Sequence, residues 1–475
     1  MDHNRDKGDV FFNIDSRLLF QLGEKLLTNR AVALAELVKN SYDADATHAI
    51  VRMKNIKKPG GTIIVEDNGS GMNPSTFEKT WMRIATIDKE ENPISKKYNR
   101  QKAGEKGIGR FACRRLSKRL ILKSIAEVES GNKEELNATF IWSTFTPGSD
   151  VDKIPVKLST KSIEKETPIG TTLILEDTSE AWSGRDIRRL RNELTELISP
   201  ITFKSDIELK EAPKEYDPGF HVKFICPDFP TKEEPLDKTF FKNAWTKLSG
   251  VVDENGDATY NIHVINKILN KIKKSFKRDK AFKYLKSVKL EIYIFSYRTD
   301  LFKHSEWKIS KTRKIGEERG GIKVYADNFR IFGYGKKGDD WLRVDYDRGR
   351  SAYGVDEEVS AFGEDKRPGL RLFRNNNLFG SVVFVRNDNP MLEITVNREK
   401  LIDNEVFEEL RKFVRLGVDF ATVLYANEIF KERKKEKERK KAEEEARRKA
   451  EEEARRKAEE ARRKAEEKAR EAEEE

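Results

Sequence analysis

Along residues 1–200, apolar positions follow two rhythms. "THAIVRMKN", "GTIIVEDNG", "KRLILKSIAE", "LNATFIWSTF" and "GTTLILED" are rich in β-branched residues and predict strands, the second running into a turn at Asn68-Gly69. "AELVKNSYDADAT", "STFEKTWMRIAT" and "GRDIRRLRNELTELISP" place their apolar residues at helical spacing, and Pro200 closes the third. Further on, "LEIYIFSYRT", "GGIKVYADNFRIFGYG", "RLFRNNNLFGSVVFV" and "MLEITVN" predict more strands. "NEVFEELRKFVRLGVDFATVLYANEIF" predicts a helix. Strands and helices mix without regular βαβ spacing, so the expected class is α+β rather than a doubly wound sheet.

The pattern breaks after Phe430. In "KERKKEKERKKAEEEARRKAEEEARRKAEEARRKAEEKAREAEEE" only alanines interrupt the charges. Glu and its basic partners stand three or four residues apart, and every residue type present is a strong helix former. One solvated helix of roughly 65–70 Å is predicted. It would serve as a spacer or, paired as a coiled coil, as an oligomerisation arm, although an all-Ala seam makes a poor core. The domain expectation is therefore 1–200, 201–423 and 424–475.

Composition adds little beyond this. The 475 residues are 37% hydrophobic and 37% charged, with a formal net charge of +11. The excess permits an acidic partner such as nucleic acid, and "NKIKKSFKRDKAFKYLKSVK" is the densest basic run. That run reads equally as a solvated helix face. Two cysteines, Cys113 and Cys226, exclude a disulfide framework or a cysteine zinc site. No apolar run reaches the ~18 residues of a membrane span, and "MDHNRDKGDVFF" lacks a signal-peptide core. A cytoplasmic protein with no membrane partner is expected.

Four short motifs carry candidate chemistry. Glu36 and Asn40 share one helix face, a spacing that can set a general base beside a metal ligand. "EDNGSGM" follows a strand, with Asp67 at its end and Gly69 and Gly71 permitting close backbone approach. "AGEKGIGRFACRRL" opens a basic helix behind Gly104, Gly107 and Gly109, an arrangement suited to phosphate oxygens. It is neither a P-loop nor a Rossmann fingerprint. "PIGTTLILED" sets Gly170 and Thr171 at a strand head.

In this order the motifs resemble the GHKL ATPase superfamily of gyrase B, heat-shock chaperones, histidine kinases, MutL and the MORC proteins, over residues 15–200. The resemblance implies an N-terminal Bergerat-type α/β sandwich, a mixed sheet with helices on one face, followed by a second α+β transducer-like domain. It implies ATP and Mg²⁺ as cofactors. Glu36 would be the general base and Asn40 the Mg²⁺ ligand. Asp67 would read the adenine amino group with Thr171 behind it, while Gly69, Gly71 and Met72 line the base. Gly104, Gly107, Ile108 and Gly109 would wrap the phosphates. Asp43 would be structural or a ribose-side contact. Residues 73–102 would form the ATP lid, whose polar middle suits a mobile element.

None of His3, His48, His221, His263 and His304 has the setting of a phosphoacceptor, which argues against a kinase. "LEITVNREKLIDNEVF" resembles the strand–loop–helix of the heat-shock chaperone middle domain, which would bring Arg398, or failing that Lys400, to the terminal phosphate as the catalytic cation. The stretch around "GGIKVYADNFRIFGYG" resembles MORC-like bacterial ATPases. The expected function is slow ATP hydrolysis driving a switch, with an ATP-dependent homodimer as the partner state. Alternatives are an ATP-gated nucleic-acid clamp or bacterial defence component, and a non-hydrolysing scaffold. No protein client is identifiable.

Overall fold

The alternating segments pair into two sheets. The computed structural model describes residues 14–21, 29–84, 91–103, 109–128, 131–200, 217–230, 238–265, 273–303, 305–348, 350, 354–365, 368–395 and 399–473. The first sheet contains β1 (His48–Lys54), β2 (Thr62–Asp67), β3 (Ser117–Glu127), β4 (Lys133–Ile141), β5 (Lys157–Ile163), β6 (Gly170–Thr178) and β7 (His221–Ile225), in the order β5-β4-β3-β6-β2-β1-β7. All its pairings are antiparallel except β1 with β7, so the sheet is mixed.

Period-two patterning gives this sheet one apolar face. Ala49, Val51, Met53, Ile63, Val65, Leu120, Leu122, Leu136, Ala138, Leu173 and Leu175 form one core. They share it with Leu34, Leu37 and Val38 of the helix Arg30–Asp43, with Ala112, Cys113 and Leu116 of a short helix, and with Ile187, Leu190 and Leu194 of the helix Gly184–Thr195. The Arg30–Asp43 helix begins at Asn29, whose side chain accepts from the Ala31 amide. Pro200 does not close the Gly184–Thr195 helix. The chain leaves helical geometry at Glu196 because Ile198 forms a bridge with Phe329.

The second sheet contains β8 (Thr246–Val252), β9 (Ala258–Val264), β10 (Lys273–Arg278), β11 (Val288–Ile294), β12 (Gly321–Ala326), β13 (Phe329–Ile331) and β14 (Leu378–Phe384). Their order is β10-β9-β8-β11-β14-β12-β13. The described part of the basic run holds edge strand β10, a turn and the start of β11 rather than a helix face, and residues 270–272 lie outside the described residues. Phe276, stacked on Tyr260 at 5.8 Å, pins the strand to the core. Within the run, Lys277 pairs with Asp279 at 2.6 Å and Asp257 at 3.4 Å.

The β12–β13 hairpin reaches the first sheet's helices. Its turn, Asp327-Asn328, has φ of 46° and 70°, the left-handed region that two-residue hairpins use. The Asn328 carbonyl accepts from the Ser199 amide at 2.8 Å, and the Arg330 amide donates to the Leu197 carbonyl at 3.0 Å. Glu196 accepts from Arg330 at 2.7 Å and Arg319 at 3.1 Å, with the Lys323 ammonium 3.7 Å away. Burial pushes Lys323 down to about 8, against the pull of Glu196 and with the two guanidiniums adding to the fall.

The segment expected as the end of a mobile lid is fastened. Asp45, at φ 60°, accepts from the Ser95 hydroxyl at 2.5 Å and the Lys97 amide at 2.8 Å. Arg100, its side chain 1% exposed, lies between the rings of Tyr42 and Tyr98. Arg100 also donates to both Asp217 oxygens at 2.9 and 2.6 Å and to the Gly219 carbonyl at 3.0 Å. Of the expected lid, 73–102, residues 85–90 lie outside the described residues.

By its contacts the chain divides into two compact units, Met1–Trp341 with Asn375–Lys412, and Leu342–Arg374 with Phe413–Glu475. In the second, Arg415 donates to the Leu342 carbonyl at 2.8 Å and to Asp347 at 2.7 Å, and Phe420 and Tyr425 meet Phe362 and Phe373 at 5.0 Å each. The helix Glu405–Glu473 continues into the charged arm, which is exposed and laced with i,i+4 pairs such as Arg447–Glu451 and Lys457–Glu453. Among the described residues no helix is long and apolar enough to cross a membrane.

Arg100→Ala is expected to lower stability by about 2–3 kcal/mol in urea unfolding, short of the ~3–5 kcal/mol of a fully buried broken pair because Asp217 is 36% exposed. Lys153→Ala, which breaks the exposed pair with Asp150, should leave the unfolding curve unchanged.

Candidate functional site

The site is built from one helix and two strand ends. Nearly every position of the Arg30–Asp43 helix is buried, polar ones included. Glu36 is 3% exposed, and its Oε1 accepts from Lys39 Nζ at 3.0 Å. The i,i+3 spacing brings the two onto one side of the helix. Asn40, half-buried, stands one turn beyond Glu36. Asp43 accepts from the Ala103 amide at 2.7 Å, so it ties the segment before the glycine loop to the helix end.

Asp67 ends β2 opposite Thr171 on β6. Its Oδ2 accepts from the Ser41 hydroxyl at 2.8 Å, and its Oδ1 from the amides of Gly69 at 2.9 Å and Thr171 at 3.2 Å. Burial raises this carboxyl above the usual aspartate range, while the three donors favour its ionised form. Gly170 makes the approach possible, because a Cβ there would lie 2.0 Å from the Asp67 carbonyl oxygen. Ser124 of β3, fully buried, accepts from the Met72 amide at 2.8 Å and shares a hydrogen bond with the Thr171 hydroxyl at 3.0 Å. Gly71 crosses the β3 backbone at φ +66°, where a Cβ would sit 2.1 Å from the Ile125 carbonyl oxygen.

The structure thus gathers Asp67, Gly69, Gly71, Met72 and Thr171 around one carboxylate, with Asn40 next to the Ser41 that donates to it. Gly109 opens a turn, Gly109–Phe111, ahead of the short helix Ala112–Leu116. Gly104, Gly107, Ile108 and Arg398 lie outside the described residues. Lys400 is exposed, with its amide donating to the Thr395 hydroxyl at 3.2 Å. The described part of "MLEITVN", residues 391–395, holds an isolated bridge, Ile394 to Leu401. The helix after it starts behind Asn404, which accepts from the Phe407 amide at 3.0 Å.

Sequence reading missed Ser41, Ser124 and Lys39. The signal for Ser124 was present, since alternation along β3 places it inward with Leu120 and Leu122. Ser41 and Lys39 carried only a weaker one, polar residues crowded into a helix too apolar to be all surface.

Residues 28–171 match the family model described as histidine kinase-, DNA gyrase B-, and HSP90-like ATPase. This segment is a GHKL-type ATPase domain. No curated protein matches the chain. The match runs from just before the Glu36 helix to Thr171, so it spans every described residue of the Asp67 cluster.

The residues of the GHKL domain fit a purine nucleotide. A carboxylate offers about four lone-pair sites, so Asp67 can accept from an exocyclic amine beyond its three protein donors. Gly71 and Gly170 let the backbone pack closely around this strand end, since a Cβ at either would lie 2.1 or 2.0 Å from a carbonyl oxygen. Among the described residues no three His, Cys, Asp or Glu cluster to hold a metal. Asn40 offers a single oxygen ligand, which suits Mg²⁺ bound mainly through phosphates and water.

Gly71→Ala is expected to cost more than the ~1–2 kcal/mol of left-handed strain alone, because its Cβ meets a backbone carbonyl. Gly131→Ala, at φ +72° with nothing within 4 Å, should cost only that strain. Melting temperatures of the two variants make the comparison.

Proposed function

We propose that this chain binds ATP with Mg²⁺ beside Asp67 and hydrolyses it slowly to drive a conformational switch, two copies closing as a clamp. Residues 1–200 would bind ATP, 201–423 would transduce its state and 424–475 would form the charged arm, in the cytoplasm. One observation carries the reading: the helix that donates Ser41 to Asp67 also holds Asn40 and Glu36, so base-reading and hydrolytic groups share one rigid support.

In this reading Asp67 accepts from the adenine amino group with Thr171 behind it, and Gly69, Gly71 and Met72 line the base. Backbone amides of Gly104, Gly107, Ile108 and Gly109 face the phosphates. Asn40 holds Mg²⁺, which when bound supplies positive charge at the phosphate oxygens. Glu36 orients the attacking water and takes its proton as the water oxygen bonds to the terminal phosphorus and the bond from that phosphorus to the bridging oxygen breaks, ADP leaving with the electron pair. Arg398, or in its place Lys400, brings the cation that distinguishes ATP from ADP. The switch stands ahead of a nucleic-acid clamp, a defence role or a non-hydrolysing scaffold because the helix that meets Asp67 carries Asn40 and Glu36 with it.

Calorimetry and turnover separate the two roles. Asp67→Asn should weaken ATP binding about ten- to a hundredfold, the ~1.5–3 kcal/mol of one charge-assisted hydrogen bond. Glu36→Ala should keep ATP affinity and lose roughly 10²–10⁴ in turnover. Unchanged affinity in the first removes Asp67 from base recognition, and normal turnover in the second removes Glu36 from the chemistry. The pH dependence follows from the raised Asp67. Its ionised form is the stronger acceptor, so ATP affinity should fall with decreasing pH, beginning above the ~3.9 of an exposed aspartate.

A further inference from the structure

Glu36 is buried among apolar neighbours, and burial by itself favours the neutral carboxyl. A neutral Glu36 cannot take a proton from water. What opposes this is the Lys39 ammonium, 3.0 Å from Oε1 and itself 8% exposed. Lys39 is in turn placed by the second sheet, for its Nζ lies 5.6 Å from the ring centroid of Phe329 on β13. That ring meets Tyr42, on the same helix as Lys39, edge-on at 4.7 Å. The backbone on either side of Phe329 is pinned by the bonds of Asn328 and Arg330 to Ser199 and Leu197.

The geometry points to Lys39 as a positioning residue that holds Glu36 ionised and oriented, with Phe329 of the second sheet as the platform that keeps Lys39 in place. The inference rests on the reading of Glu36 as general base. It adds a path from the second sheet to the hydrolytic step that touches neither nucleotide nor metal.

The other charges near this junction have partners of their own. Around Tyr42 stand Asp43 on its own helix, Arg100 from the fastened segment, Asp217 ahead of β7, and Asp327 from the hairpin. Asp43 accepts from the Ala103 amide, Arg100 holds Asp217, and Asp327 pairs with Arg386. Arg330 turns away to Glu196. The Lys39 ammonium sits directly on Glu36, 3.0 Å from Oε1. A cation–π contact with a desolvated ring is one of the few apolar platforms that holds an ammonium without competing for its hydrogen bonds.

The test is the pH–rate profile of ATP turnover by the full chain, with ATP affinity and thermal unfolding measured on each variant. Lys39→Met should bind ATP like the parent, lose at least about tenfold in kcat and move the acid limb of kcat to higher pH, because a buried carboxylate that loses an adjacent ammonium protonates more readily. Lys39→Arg, which keeps the charge, should restore most of the rate and return the limb. Phe329→Leu should give a smaller loss in the same direction. A parental kcat and acid limb in Lys39→Met, with Glu36→Ala inactive, overturns the inference while leaving the base reading intact. Normal turnover in Glu36→Ala overturns the base reading and this inference with it. Equal losses of rate in Lys39→Met and Lys39→Arg, without a shifted limb, would make Lys39 a packing residue and also overturn it.

Discussion

A carboxylate at the recessed end of β2 has to be satisfied, and much of the GHKL domain is arranged around doing so. Burying an ionised group without donors costs several kcal/mol or forces it to neutralise. Asp67 draws its donors from three places: Ser41 on the helix, Gly69 in its own turn and Thr171 on the neighbouring strand. Each bond locks a different element. The Ser41 bond sets the rotation of the helix on the sheet, and with it the direction in which Asn40 and Glu36 face. The Thr171 bond requires β6 to enter beside Asp67, and Gly170 is what lets its backbone come that close.

The second constraint is at the joint with the second sheet. Three cations, Arg319, Lys323 and Arg330, share one carboxylate, Glu196, in a largely buried setting. Such an arrangement is costly and does not by itself explain why the sheets stay together. The backbone bonds of the β12–β13 hairpin and the rings of Tyr42 and Phe329 supply non-polar and neutral contacts at the same place. A hairpin held this way cannot shift without disturbing the helix that bears Glu36. Small displacements at a packed joint are transmitted in steps rather than absorbed, since close-packed interiors deform poorly.

Legibility followed the range of the interactions. The strands of the first sheet were readable because their alternation is a local property, and the Glu36 helix because its spacing is. Asp67, Gly69, Gly71 and Thr171 were readable as a set because they lie in short motifs next to strand ends. The polar composition of the expected lid was legible, but not its anchors: residues 91–103 are bound by Asp45 and by Arg100 with Asp217, partners up to 117 positions away. The basic run around Lys273–Arg278 was open between a helix face and another role, and pairing with β9 decided for a strand.

What the sequence by itself determined is therefore local: which segments alternate, where glycine lets the backbone turn, where a carboxylate stands at a strand end, and where the charged arm begins. The tertiary structure decided which side chain answers which. Ser41 faces Asp67, Ser124 bridges Met72 and Thr171, and Lys39 lies between Glu36 and a ring from another sheet. These choices were hidden because a polar residue in a buried position states only that a partner is needed. Its identity depends on which distant segment folding brings within about 3 Å, and no local periodicity carries that information.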